Sequence, residues 1–355
     1  MNLLIIHKTQ FGYHNNAYKL CQYLHNRIDI TYLCFDGREK IDMEGITIKY
    51  IPANIPKIFR ASLFMLASLW TVFFWRGGIM IYYFPGCEWY KKVIPHKKML
   101  LDVRTLSVTE DEYFNKKQDI KLKEAAEKFD FVTFLSEGMR NKIGFPHKNS
   151  AIVPLGADMI SDLRKNYYPI KLLYVGTLGN RHLEKTLEGL MLFVKKHPDI
   201  PIQYHIVGNA EVKQKQQELL LHEYVKKHNM DGFVKFYGKI PNRDLKPFFD
   251  MCNFGVSFVP ITSFYNNQPV TKTFEYAMSG LYVLGTATAE NAKVINPDNG
   301  IIIRDSAESF YETLVWLVDN YNQISYDKIT SSLIQYRWET IENKIMLPIL
   351  ENLFF

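Results

Sequence analysis

The sequence predicts an α/β protein of two domains, each built on a doubly wound parallel sheet. Three observations carry that expectation. The chain has 355 residues, too many for one ordinary domain of roughly 100 to 200. Short β-rich runs alternate with segments of helical spacing through both halves, and a polar stretch separates them. Hydrophobic residues make up 47% and charged residues 23% with no low-complexity tract, which excludes a disordered chain.

In the first half the runs 3–6, 30–35, 46–51, 79–84, 99–103, 131–135 and 151–153 read as strands. In the second half the corresponding runs are 171–175, 203–207, 233–237, 254–259, 281–284 and 301–303. Between the first two of these, Leu183, Leu187, Leu190, Met191 and Val194 recur at helical spacing. The stretch 161–169, with Asp162, Arg164, Lys165, Asn166 and Pro169, is the expected linker, giving domains at 1–165 and 166–335. After Tyr326 the strands stop and a helical pattern runs on, kinked or broken at Pro348. A last helix over 336–355, with no strand to follow, is expected to return to the first domain.

Residues 61–75 depart from this pattern. They carry no charge, are bounded by Arg60 and Arg76, and include Phe64, Trp70, Phe73, Phe74 and Trp75. At about 1.5 Å per residue they would reach roughly 22 Å, short of the ~30 Å hydrocarbon core, so no transmembrane helix is expected. Two readings stand: a buried helix of the first domain, or peripheral membrane contact through residues 58–76. The basic cluster Lys91, Lys92, His96, Lys97 and Lys98 fits membrane contact or plain solvated charge.

Cys21, Cys34, Cys87 and Cys252 show no CxxC or zinc-type spacing and read as reduced core thiols. The opening Met-Asn-Leu-Leu-Ile-Ile holds too few apolar residues for a secretory signal, which predicts a cytoplasmic location, extending to the inner face of the cell membrane if the 58–76 segment docks there. A net charge of +6, dispersed and without an aromatic-basic stripe, argues against nucleic acid and suits anionic phosphates or an acidic membrane surface.

The stretch 267–280, NQPVTKTFEYAMSG, carries the most chemistry. Helical spacing begins near Thr271, so Thr271 and Lys272 fall at a helix N-terminus, where free N–H groups, the helix dipole and a lysine would together bind a phosphate. Glu275, one turn in, could accept both hydroxyls of a ribose. A solvated Lys–Glu pair three residues apart is the plainer alternative. The position after a strand, in an open α/β sheet, favours ligand binding.

On these residues the chain resembles the retaining GT-B glycosyltransferases grouped as family 4. Their E-x7-E motif, or its P-x-K-x-x-E-Y variant, matches Thr271, Lys272, Thr273, Phe274, Glu275, Tyr276 and Gly280. The second glutamate falls on Glu275; the first falls on Asn267, an amide that can still hydrogen-bond a sugar. Leu173 to Arg181 is similar to the glycine turn where an Arg and a Lys grip the donor diphosphate, with Arg181 at the Lys position and Thr177 where the Arg would stand. The run Val153, Pro154, Leu155, Gly156, Ala157 and Asp158 resembles the family's turn before the domain boundary, and Phe236 to Ile240 the turn whose backbone reads the nucleobase. In the first half, Gly12 occupies the place of the glycine loop that approaches the phosphate. Asp102 and Arg104 resemble an acceptor-side segment and are candidates for acceptor contact or charge balance.

The resemblance implies two Rossmann-like domains facing across a cleft and transfer from a nucleotide-diphosphate sugar to a saccharide or lipid-linked acceptor. It implies Arg181, Lys272 and Glu275 as catalytic, with Gly12, Gly176, Thr177, Tyr237, Ile240, Asn267, Gln268 and Thr271 joining Glu275 around the donor. Retention of configuration and a role in surface polysaccharide or glycan biosynthesis belong to the same implication. No DxD-type acidic pair is evident, since Asp111 and Glu112 sit in what reads as a polar loop; the expectation is no metal and no cofactor beyond the donor. A nucleotide-sugar epimerase of this architecture and a non-catalytic nucleotide-sugar binder are the alternatives. A dinucleotide dehydrogenase is disfavoured because no G-x-G-x-x-G follows the first strand.

Overall fold

The computed structural model describes residues 1–107, 111–263 and 265–355. The chain divides into two compact units, Met1–Gly156 with Tyr336–Phe355, and Ala157–Gln335.

The first unit holds seven parallel strands: β1 (Asn2–Ile6), β2 (Asp29–Asp36), β3 (Ile46–Pro52), β4 (Gly78–Tyr82), β5 (Leu100–Val103), β6 (Phe131–Phe134) and β7 (Ser150–Ile152), in the order β3-β2-β1-β4-β5-β6-β7. Strands covered on both faces must be apolar throughout rather than alternating, and Leu3 to Ile6 and all of β4 are buried. One face is closed by the chain's own end: Ile341, Met346, Leu347 and Leu350 pack with Leu3, Ile5, Met80 and Leu100. Pro348 does not break that segment into loop. A π-turn over Glu342–Met346 runs directly into the helix Leu347–Phe354, so the hydrogen bond a proline cannot make is absent from the pattern.

The second unit holds β8 (Ile170–Val175), β9 (Ile202–Val207), β10 (Val234–Phe236), β11 (Phe254–Ser257), β12 (Tyr282–Thr286) and β13 (Gly300–Ile303), all parallel, in the order β10-β9-β8-β11-β12-β13. The unit begins at Ala157, not 166, because the stretch expected to be a linker is bonded into it. Ile160 N donates to Ser279 Oγ at 2.9 Å, Ser161 Oγ donates to Asp250 Oδ1 at 2.6 Å, and Tyr167 OH donates to Gly280 O at 2.9 Å.

Strand order reverses once in each sheet, between β1 and β4 and between β8 and β11. At such a point the loops leaving neighbouring strands part in opposite directions and leave an opening at the strands' carboxyl ends. All four cysteines are buried and unpaired. Asp111 does not sit in a loop: its carboxylate caps the helix Glu112–Ala126, accepting from Phe114 N at 2.9 Å.

Candidate functional site

The loops after β8 and β11 bound the opening in the second sheet. The β8 loop is folded tightly: the space a Cβ on Gly208 would need lies 1.7 Å from Gly176 O, and Gly208 has φ +146°, so glycine alone lets the β8 and β9 loops meet. Further along, Asn180 and His182 both adopt left-handed backbone, at φ +54° and +53°. Arg181 stands between them. This is an uncommon conformation for residues with a Cβ, and it is held from outside: Asn180 N donates to Gln217 Oε1 at 2.6 Å, and Gln217 Nε2 donates to Asn180 Oδ1 at 2.9 Å. The Arg181 guanidinium lies 4.5 Å from the centre of the Tyr265 ring and also bonds the Tyr174 hydroxyl, which donates to Thr177 O at 2.6 Å. Burial raises the Tyr174 pKa, so the phenol stays protonated.

Tyr265 begins the turn Tyr265–Asn267 after β11, and the helix Thr271–Met278 follows four residues after that turn. The helix start is fixed from below. Ser257 and Thr273 hydroxyls share a hydrogen bond of 2.6 Å, Thr273 Oγ1 donates to Asn291 Oδ1 at 3.0 Å, and Asn291 Nδ2 donates to Thr286 O at 2.9 Å. Tyr276 OH accepts from Val175 N at 2.8 Å, tying the helix to the end of β8. Val270, at the N-cap, offers no side-chain oxygen to compete with an anion for the first N–H groups, of which that of Thr273 already donates to Val270 O at 3.1 Å.

Lys272 donates to Glu275 and, at 3.2 Å, to Asn242 Oδ1 from the loop after β10. The Glu275 side chain is 7% exposed and that of Lys272 20%. The spacing that reads as an exposed helix pair is therefore a largely buried ion pair facing the strand ends. Asn267 Nδ2 donates to Ser263 O at 3.2 Å, and Gln268 N to Tyr265 O at 3.4 Å. Thr177 is turned to its own loop, its Oγ1 accepting from Gly179 N at 3.4 Å. After β10, the Tyr237 hydroxyl and His205 Nδ1 share a hydrogen bond of 2.8 Å, and Ile240 follows half-buried. Burial, with Lys235 and Lys171 adding to it, lowers the His205 pKa to about 4, so the ring is neutral.

Sequence reasoning missed Tyr174, Gln217, Asn242 and Tyr265. Tyr174, Asn242 and Tyr265 lie at a strand end or in the loops after strands, and only that place could have flagged them; Gln217 sits in the first turn of the helix Lys215–Lys227, and its partner Asn180 is remote in sequence.

The first unit's opening is furnished otherwise. Gly12, on the loop after β1, has φ +86°, and a Cβ there would come 2.4 Å from Ile41 Cδ1. Its own unit accounts for the glycine. Asp102, fully buried at the end of β5, accepts from Arg104 Nε and from Thr133 Oγ1, each at 2.6 Å, while Arg104 Nη1 donates to Val153 O at 3.0 Å. The geometry is that of a buried, hydrogen-bonded ion pair at a strand end. Among the described residues, no cluster of three His, Cys, Asp or Glu side chains could hold a metal ion.

No family model matches the chain, and no curated protein matches it in sequence. Solved structures do. The sucrose-phosphate synthase of Thermosynechococcus elongatus superposes with a TM-score of 0.76 at 14% identity, covering 99% of both chains. Anabaena HepE in complex with UDP gives 0.75 at 12% identity, over 99% of this chain and 100% of that one. The fold is GT-B. An α,α-trehalose-phosphate synthase (UDP-forming) of Burkholderia vietnamiensis, at 0.75 and 10% identity over 99% and 100%, has the same one. In GT-B terms the β8/β11 opening, with Arg181, Lys272 and Glu275 on the loops and helix that frame it, belongs to the C-terminal Rossmann-like unit.

Proposed function

We propose that the chain is a glycosyltransferase that moves a sugar from a nucleoside-diphosphate donor to a saccharide or lipid-linked acceptor in surface polysaccharide or glycan assembly. The reaction retains anomeric configuration and needs no metal ion or further cofactor, and the location is cytoplasmic. One observation carries this reading: an uncapped helix N-terminus at Thr271 and a buried Lys272–Glu275 pair share the same strand ends as Arg181, itself set on a strained loop. HepE was solved with UDP and with UDP-glucose, and this fold likeness supports the choice of ligand class.

Breaking the bond between a sugar and a nucleoside diphosphate builds negative charge on the departing phosphate oxygens. Groups already fixed and aimed at that charge lower the barrier without reorganising. Arg181, Lys272 and the N–H groups at the start of the helix Thr271–Met278 fill that role. In the free protein Lys272 and Glu275 neutralise one another; a bound donor replaces each partner, with phosphate taking Lys272 and the ribose hydroxyls taking Glu275. The leaving phosphate accepts the acceptor's proton, so no separate side-chain base is required.

Titration with UDP and GDP, and with their 2′-deoxy analogues, tests this assignment. The wild type should favour the ribo form, and Glu275→Ala should lose roughly tenfold or more in affinity, as for a hydrogen bond to a charged group, and bind both forms alike. Undiminished affinity in Glu275→Ala would remove the ribose role. With a panel of nucleotide sugars, a transferase releases nucleoside diphosphate when an acceptor is added; an epimerase leaves the diphosphate attached, and a binder changes nothing.

A further inference from the structure

The helix Lys57–Phe74 of the first unit is apolar on both sides, and only one side is used. Phe64, Ser68 and Val72, at successive i,i+4 positions, are its buried residues. Phe64 meets Phe35 and Phe84 at ring distances of 4.7 and 5.8 Å, and the Ser68 and Tyr90 hydroxyls bond at 2.6 Å. The opposite side presents Ile58 (79% exposed), Leu66 (67%), Trp70 (70%), Phe73 (58%) and Phe74 (61%), with Phe59 beside them. Trp89 and Val93, one turn apart on the helix Trp89–Val93, are exposed as well. Trp70, Phe73 and Phe74 touch one another, with ring centres 4.9 to 5.0 Å apart, and an exposed apolar surface of this kind marks a contact yet to be made.

Charge says what covers it. Residues 45–101 carry eight Lys or Arg and one acid, Glu88, a surplus of seven where the whole chain has six. The chain's net positive charge thus falls within this stretch of sequence, although Lys91 is paired with Asp130 beyond it. Lys57 and Arg60 occupy its first turn, where the helix dipole disfavours cations and where no acid is present, and Arg76 follows its last turn. Among the described residues none of these three forms an ion pair within 4 Å. Lys92 lies 4.6 Å over the Trp89 ring. Aromatic side chains bounded by unpaired cations fit an interface of acyl chains beneath anionic headgroups.

The helix also meets the length and composition of a membrane span, with 18 residues. Its anchoring argues for lying flat. Lys97 Nζ donates to Val72 O at 2.7 Å and to Trp75 O, and β4, central in the sheet, begins three residues after Trp75. A spanning helix would have to abandon these bonds and the buried Phe64 side.

We propose that the outward face of Lys57–Phe74, with Trp89 and its flanking cations, docks the protein in the plane of an anionic lipid surface. The inference stands apart from the donor site, since it concerns only the first unit and vesicle binding and nucleotide binding are measured separately.

The test is co-sedimentation of the full chain with vesicles of phosphatidylcholine, with or without about one-third phosphatidylglycerol. The wild type should pellet with the anionic vesicles at low salt and much less at about 1 M, where the Debye length shrinks to about 3 Å. Replacing Lys57, Arg60 and Arg76 by Gln should weaken anionic binding on the order of 100-fold, about fivefold per cation. Trp70→Ala and Phe73→Ala should each cost roughly tenfold. Both side chains face solvent, so circular dichroism and UDP affinity should be unchanged. A wild type that binds nucleotide yet stays in the supernatant with anionic vesicles overturns the proposal. So does a wild-type oligomer that Leu66→Glu dissociates in the absence of vesicle binding, which would put a second copy on this face. Binding that resists 1 M salt and alkaline washing and yields only to detergent would mean a spanning helix and would overturn it equally.

Discussion

The two sheets end in the same kind of opening, at β1/β4 in the first unit and β8/β11 in the second, yet the chain furnishes them differently. Around β1, β4 and β5 the polar groups are closed upon one another or buried neutral: Asp102 is shared by Arg104 and Thr133, and burial, aided by their mutual repulsion or by Arg104, lowers the His7 and His14 pKa values to about 3 and 4. Around β8 and β11 the charges stand on loop ends and a helix start, and the networks beneath them hold backbone in place rather than neutralise charge. The first is an ion pair that stabilises its own fold. The second is an ion pair that a ligand can take apart.

That contrast is sharpest in stability. Asp102→Ala would leave the Arg104 guanidinium buried without its counter-charge, and such losses cost about 3 to 5 kcal/mol. Denaturant unfolding should show the first unit destabilised by that amount. Glu275→Ala, which leaves behind the 20% exposed Lys272 rather than a fully buried charge, should cost less in the second unit. Equal costs would mean that both pairs serve the fold.

Turnover should reverse the order. Arg181→Ala removes one preorganised charge from the donor site, an effect of roughly 2.7 to 4 kcal/mol or 10²- to 10³-fold in kcat for comparable groups, with a smaller change in donor affinity. Unchanged turnover would require another cation at the diphosphate.

Much of this was legible because parallel strands covered on both faces read as continuous apolar runs. Most strands were visible that way, from 3–6, which forms Asn2–Ile6, to 301–303, which forms Gly300–Ile303, while β3 and β10, at the sheet edges, carry Lys49 and Lys235. Thr271 as a helix start was legible too, because local spacing decides it. What escaped depends on distant partners. Nothing local shows that 161–169 is tied down by Ser279, Asp250 and Gly280, and so the boundary was placed late. The helix Lys57–Phe74 is apolar on both sides, so its pattern lacks the polar stripe that would have said which side faces water. The Lys272–Glu275 spacing announced a pair, but burial of that pair comes from the strand ends it packs on.

Tyr265 offers the finest probe of the second opening. It joins the two loops there, for Arg181 follows β8 while Tyr265 follows β11, and the guanidinium sits over the ring at 4.5 Å. If Arg181 is held ready before a donor arrives, the ring is part of what holds it, together with the Asn180–Gln217 bonds behind. Tyr265→Ala should then lower kcat by a few-fold, corresponding to about 0.5 to 1 kcal/mol for a partly exposed cation–π contact, and Tyr265→Phe, which keeps the ring, should restore it. The double substitution with Arg181→Ala should be no worse than Arg181→Ala alone, since the ring acts through the arginine. Additive losses would show Tyr265 contacting the donor by itself, and the opening would then be lined by an aromatic surface as well as by charge.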